Sequence, residues 1–171
     1  MTLAFSGQTG TLTYSNNGVT VTKAIQKQVF GSRAANCTST SADRSALTNY
    51  QDLWWNAAES GWGVNVTHQD NILFATLFTY NASGKSAWWV MASGARQSDG
   101  SYLGALYQTT GPAFNASPFT PIGPGNITQV GTMRFTFGSG VNGTLTYSVN
   151  GISVTKAITR QVFATTFPAC S

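Results

Sequence analysis

Charge is what this sequence has least of. Asp, Glu, Lys and Arg make up 8% of its 171 residues, against roughly 25% in ordinary soluble proteins, and Gly, Ser, Thr and Asn take their place. The basic residues are scattered from Lys23 to Arg160. The net charge of +4 therefore reflects scarce carboxylates rather than a basic stripe, and nucleic acid is not an expected partner. One histidine and two cysteines are too few for a Cys/His zinc cluster, so neither a metal nor any other cofactor is expected. No apolar run reaches the roughly twenty residues of a membrane-spanning helix. The opening Met1-Thr2-Leu3-Ala4-Phe5 lacks the charged start and long apolar stretch of a signal peptide, and membrane insertion is not expected. Helical periodicity is missing almost throughout. Disorder is argued against by an aromatic content of 12%, which a disordered chain would not carry.

What is present first is a repeat. Residues 10–30, GTLTYSNNGVTVTKAIQKQVF, align without a gap to residues 143–163, GTLTYSVNGISVTKAITRQVF, with sixteen of twenty-one positions identical. The chain thus contains parts of a tandem array with a period of 133 residues. We read residues 1–30 as the closing hairpin of a preceding unit, or as an extra hairpin of this one. Residues 31–50 read as a Ser/Thr/Ala-rich linker and 51–171 as a complete β-module. Cys37 and Cys170 follow the two copies at the same distance, which suggests a disulfide formed in an oxidising compartment. Two free thiols are the alternative.

The rest of the sequence alternates. Trp62, Val64, Val66 and His68 share one strand face, and ILFATLFTY (72–80) is apolar on both faces, as in a deeply buried strand. SAWWVMAS (86–93), YLGALYQT (102–109), TQVGTMRFTF (128–137), GTLTYSV (143–149) and ISVTKAITRQVF (152–163) follow, separated by turn signals such as Asn150-Gly151. With a short strand at Leu53-Trp54-Trp55, the count is about eight antiparallel strands. Such a meander suits an all-β up-and-down barrel, which leaves no exposed edge. A two-sheet sandwich is the runner-up. Residues 112–126 hold four prolines and read as a long irregular loop.

Several side chains carry candidate chemistry. Glu59 sits among tryptophans, but glycoside hydrolysis needs a second carboxylate facing it, and pairing with a Lys or Arg is the favoured reading. Ser60, His68 and Asp70 lie on one strand and its turn without a nucleophile elbow, so a catalytic triad is rejected and no enzyme activity is expected. His68 is read as a strand-end side chain satisfied by a backbone carbonyl. Trp54/Trp55 and Trp88/Trp89 are adjacent pairs whose members point to opposite faces. An outward ring beside Asn and Gln would give a sugar its flat apolar platform, unless Phe114 and Phe119 of the Pro-rich loop cover it. Lys156 and Arg160 fall on the same face as Ile152, Val154, Ile158 and Val162. A bulge near Thr155, or snorkelling, is the favoured way to keep their charge in water. The alternative is that they point inward to meet Glu59, backbone carbonyls or an anionic ligand.

The run LWWNAAESGWGVNVTHQDNILFATLFTYNASGKSAWW, followed by YQTTGPAFNASPF and TKAITRQVF, resembles a module of secreted bacterial proteins that occurs singly or in tandem and is mostly of unknown function. The resemblance covers residues 53–163. It implies a bacterial protein, secreted or held at the cell surface, and brings no catalytic residue with it. A looser likeness is to calycins, the avidin and lipocalin type of barrel, in which a Trp near the first strand packs on an Arg or Lys of the last. Gly61-Trp62 and Arg160 would take those parts. The leading expectation is a non-catalytic binding module for a glycan or other cell-surface polymer. A calycin-like pocket for a small apolar or anionic ligand comes second, resting on Trp62, Lys156 and Arg160. Third is a structural module whose N-terminal hairpin enters a neighbour by strand addition, making a homo-oligomer.

Overall fold

The alternating segments become strands in a computed structural model, which describes residues 1–33 and 35–170. β1 (Thr2–Ser6), β2 (Thr9–Asn16) and β3 (Val19–Gln26) form a sheet of their own. β4 (Cys37–Thr40) pairs with β13 (Phe167–Cys170). Between these ribbons lie β5 (Asp52–Trp55), β6 (Gly63–Gln69), β7 (Ile72–Tyr80), β8 (Ser86–Arg96), β9 (Tyr102–Thr109), β10 (Ile127–Phe137), β11 (Asn142–Val149) and β12 (Ile152–Arg160). These eight pair in chain order and antiparallel. β12 returns to β5 through Thr159↔Trp55 and Arg160↔Trp54, closing an up-and-down barrel. The sandwich alternative is thereby set aside.

The hairpin signals act as their chemistry requires. Asn150 and Gly151 have φ of 49° and 85°, and Asn17 and Gly18 repeat that turn with 48° and 79°, the left-handed pair that matches strand twist. Gly131 sits where the β9–β10 register slips; a Cβ there would come within 2.0 Å of the Ser148 carbonyl oxygen. That bulge is what lets the strands curve into a closed wall.

Eight strands enclose a space that side chains just fill. Trp54, Val64, Leu77, Met91, Phe135 and Leu145 are among the buried residues of one apolar cluster inside the wall. Each strand turns alternate residues toward it, which is how alternation in the sequence becomes a core. β7 departs from the expectation of burial on both faces. Its inner residues Leu73, Ala75 and Leu77 are buried, but Phe78 and Tyr80 on its outer face are exposed. At one end Tyr50, His68, Tyr102 and Phe137 close the barrel, with the Tyr50 and Phe137 rings stacked at 3.8 Å between centroids. At the other end Trp62, Trp89 and Tyr147 are half-buried against the cluster.

The tails are more ordered than their composition suggests. Cys170 stands directly opposite Cys37 in the β4/β13 ribbon, and the two form a disulfide. Among the described residues no helix is long and apolar enough to cross a membrane.

Candidate functional site

The residues singled out from the sequence divide among three places. The first is the closed end of the barrel. Arg160 does not turn outward: the β11–β12 ladder is unbroken from Val149↔Ile152 to Asn142↔Thr159, so no bulge forms near Thr155. Arg160 is 6% exposed. Its Nε donates to the Gly140 carbonyl (2.6 Å), Nη1 to the Gln51 carbonyl and to Asp52 Oδ2 (both 2.9 Å), and Nη2 to the Asn49 carbonyl (3.0 Å). The guanidinium lies over Trp54, 5.0 Å from a ring centroid. The tryptophan that meets Arg160 is therefore Trp54, not Trp62. A buried cation is tolerable because fixed acceptors and a carboxylate replace its water, and this set engages four of its five N–H donors.

His68 belongs to the same end. Its Nδ1 accepts from the Tyr50 amide (3.0 Å), and Nε2 faces the Asp70 carbonyl (2.8 Å) and the Tyr102 hydroxyl (3.1 Å). The ring is thereby a neutral imidazole carrying its proton on Nε2. Burial holds its pKa below the ordinary value, against the opposing pull of Asp70. The Asp70 carboxylate is turned away to Ser32 and Arg33, while Ser60 precedes the far end of β6. The three are not a triad.

The second place is the open end. Glu59, Trp62 and Lys156 meet there: Lys156 pairs with Glu59 Oε2, the Trp62 indole N–H donates to the same oxygen (3.1 Å), and the ammonium lies 5.6 Å from the Trp62 ring. Lys156 thus starts on the inner face, opposite Leu145, and reaches to the mouth. The Lys156 hydrogen bond holds Glu59 below the usual carboxylate range, which leaves it ionised and unsuited to act as a general acid at neutral pH. Burial raises the Tyr147 phenol above its ordinary value.

The third place is the outer wall where β6, β7 and β8 run side by side. Adjacent tryptophans alternate as pleating demands: Trp89 packs against the core, and Trp88 is 55% exposed. Trp88 stands directly opposite Phe78, which in turn stands opposite Gly63. A Cβ at Gly63 would come within 2.5 Å of the Phe78 ring, and one at Gly61 within 3.4 Å of Tyr80. The two glycines of the SGWG run therefore let the Phe78 and Tyr80 rings lie down across β6, leaving Trp88 open. The shallow cleft this makes, about 280 Å³, is lined by these rings with Gly61, Thr79, Ser86 and Ala87, all uncharged. Phe78 and Tyr80 were not singled out from the sequence. Their signal is the apolar outer face of β7 set against SAWW, two strands joined by a tight turn.

The Pro-rich loop does not cover Trp88. Its Phe114 and Phe119 turn instead to the N-terminal sheet, against Tyr14 (centroids 6.1 Å) and Lys23 (4.6 Å). Trp55, the outer member of its pair, is half-buried. A larger cleft of about 450 Å³ lies beside the β4/β13 ribbon, but its charged groups are already engaged. Arg44 stacks on Phe167 at 3.9 Å and donates to the Ala164 carbonyl, and Asp52 holds Arg160.

Among known proteins, no family model, no curated protein and no solved structure matches this chain.

Proposed function

We propose that the chain is a non-catalytic extracellular binding module, and that its outer wall around Trp88 holds a glycan or other cell-surface polymer. The observation that carries this reading is the exposed indole of Trp88 in line with Phe78 and Tyr80, in a cleft with no charged lining residue. A sugar ring presents an apolar face of C–H groups and a rim of hydroxyls; flat aromatic rings match the first, and neighbouring hydroxyls such as those of Tyr80 and Ser86 match the second. A low surface charge and a disulfide agree with work outside the cell, and the tandem repeat with avidity for a polymer. The pocket reading has less to stand on, because side chains fill the barrel and Arg160 and Lys156 are paired.

Retention on insoluble cellulose, chitin and xylan, with and without Trp88→Ala, tests the proposal. The expected outcome is retention of the unmodified chain on at least one matrix and its loss in the variant. Thermal stability should stay within about 0.5 kcal/mol, as for other surface changes. Trp54→Ala, by contrast, should cost about 3–5 kcal/mol, as deletion of a core ring does. Equal retention of Trp88→Ala, or no retention of the unmodified chain on any matrix, overturns the reading.

A further inference from the structure

The N-terminal sheet copies the last three strands of the barrel in geometry as well as in sequence. Its register, Gly10↔Ile25, Leu12↔Lys23 and Tyr14↔Val21, repeats Gly143↔Ile158, Leu145↔Lys156 and Tyr147↔Val154. The hydroxyl bond between Thr13 and Thr22 (3.1 Å) recurs between Thr146 and Thr155 (3.2 Å). Phe5 lies over Gly10 as Phe137 lies over Gly143: a Cβ on either glycine would meet the ring at 3.0 and 3.1 Å. β1, β2 and β3 are thus equivalent to the end of β10, to β11 and to β12.

The surroundings of the two copies differ. In the barrel, β10 is flanked by β9 and β12 by β5, and the inward Phe135, Leu145 and Ile158 are buried. In the N-terminal sheet neither β1 nor β3 has an outer ladder partner among the described residues. Leu3 and Phe5, the counterparts of Phe135 and Phe137, are 46% and 68% exposed. Phe114 and Phe119 reach Tyr14 and Lys23 on this sheet. Leu12 and Ile25, the counterparts of buried Leu145 and Ile158, are only half-buried, and an apolar face left partly open to water between two open edges calls for a complement.

We propose that β1–β3 are the closing strands of a second barrel, and that their complement is a five-strand arc of the β5–β9 kind carried ahead of them in the same polypeptide. The barrel described above shows what that complement is, because the same sequence is seen closed by it. A second copy of the chain is a poorer source. Its β5–β9 are already closed by β10–β12, whose Arg160 fills four acceptors.

Hydrogen exchange on the whole chain, and on an extended chain with a second copy of residues 44–132 joined ahead of Met1, tests this. In the unextended chain, residues 2–26 should exchange far faster than β6–β11. In the extended chain their exchange should slow about a hundredfold, into the range of a closed barrel. Leu12→Asp with Ile25→Asp in the extended chain should abolish that protection while residues 52–160 keep theirs. An appended segment that stays unfolded, or unchanged exchange over residues 2–26, overturns the proposal. So does protection of residues 2–26 in the unextended chain that rises with concentration alongside dimer formation, since the complement would then be a second copy.

Discussion

His68 shows how much one residue's role depends on its neighbours. Its Nδ1 must remain an acceptor for the Tyr50 amide, so protonation would set two donors against each other inside the closed end. Burial lowers the pKa in the folded protein, with Arg96 adding to that and Asp70 opposing it. The unfolded chain then takes up the proton first. The stability this supplies is complete above the unfolded value of about 6.5 and is lost as pH falls from there through the folded value. Thermal melts should accordingly be level from pH 8 to 7 and decline below about 6.5. His68→Gln should remove that decline while lowering stability throughout. Because this is the sole histidine, its imidazole proton signals report the folded titration directly, and a midpoint at or above 6.5 would refute the argument. Arg160 is the companion case, a charge kept inside because carbonyls from Asn49, Gln51 and Gly140 converge on it.

At the scale of elements, the segment between β3 and β4 is held by the β6–β7 turn. Gln69 accepts from the amides of Phe30 and Gly31 (2.9 and 3.0 Å) and donates to the Gln28 carbonyl (3.0 Å). Asp70 takes the amides of Ser32 and Arg33 and the Arg33 guanidinium. Gly31 passes so close that a Cβ would lie 2.8 Å from that of Gln69. The repeat puts Ala164 at the equivalent position, so the second copy lacks the fit. Gly31→Ala should break this clasp. Losing its hydrogen bonds costs about 1–3 kcal/mol locally, which should make residues 28–33 open to exchange or proteolysis at least about tenfold more readily, with the barrel's melting temperature unchanged. A protection pattern identical to that of the unmodified chain would show that the clasp does not hold the segment.

For the whole molecule, the decisive covalent fact is that Cys37 and Cys170 are 133 residues apart and bridged, so one link encloses the entire barrel. Removing a loop of that length from the unfolded state's constraints should lower stability by about 2–5 kcal/mol. Cys37→Ser with Cys170→Ser should therefore melt lower by about 2–4 °C per kcal/mol. Its far-UV spectrum at room temperature should be retained, because the barrel is closed by the β12–β5 ladder and not by the ribbon. Two alkylatable thiols in the folded, unreduced protein would refute the bridge itself.

The strands and their order were legible in the sequence because each is a local matter. A strand facing a core must alternate, a two-residue Asn-Gly turn must join neighbours, and a chain of such hairpins has little choice but to meander. Hence the eight barrel strands fall close to where alternation puts them, and Trp54/Trp55 and Trp88/Trp89 split between faces as pleating requires. What the tertiary structure decided is which outer side chains stay wet and where the inner charges find partners. Arg160 reads as a cation to be turned outward until carbonyls from 20 to 111 residues away converge on it. Phe78 and Tyr80 read as buried until Gly61 and Gly63 let them lie against the outer wall. The β4/β13 ribbon was hidden because its two strands are four residues each and, Phe167 apart, small or polar, too short to carry an alternation of their own. These outcomes depend on distances between residues remote in the chain, and the pattern of neighbouring residues carries no record of such distances.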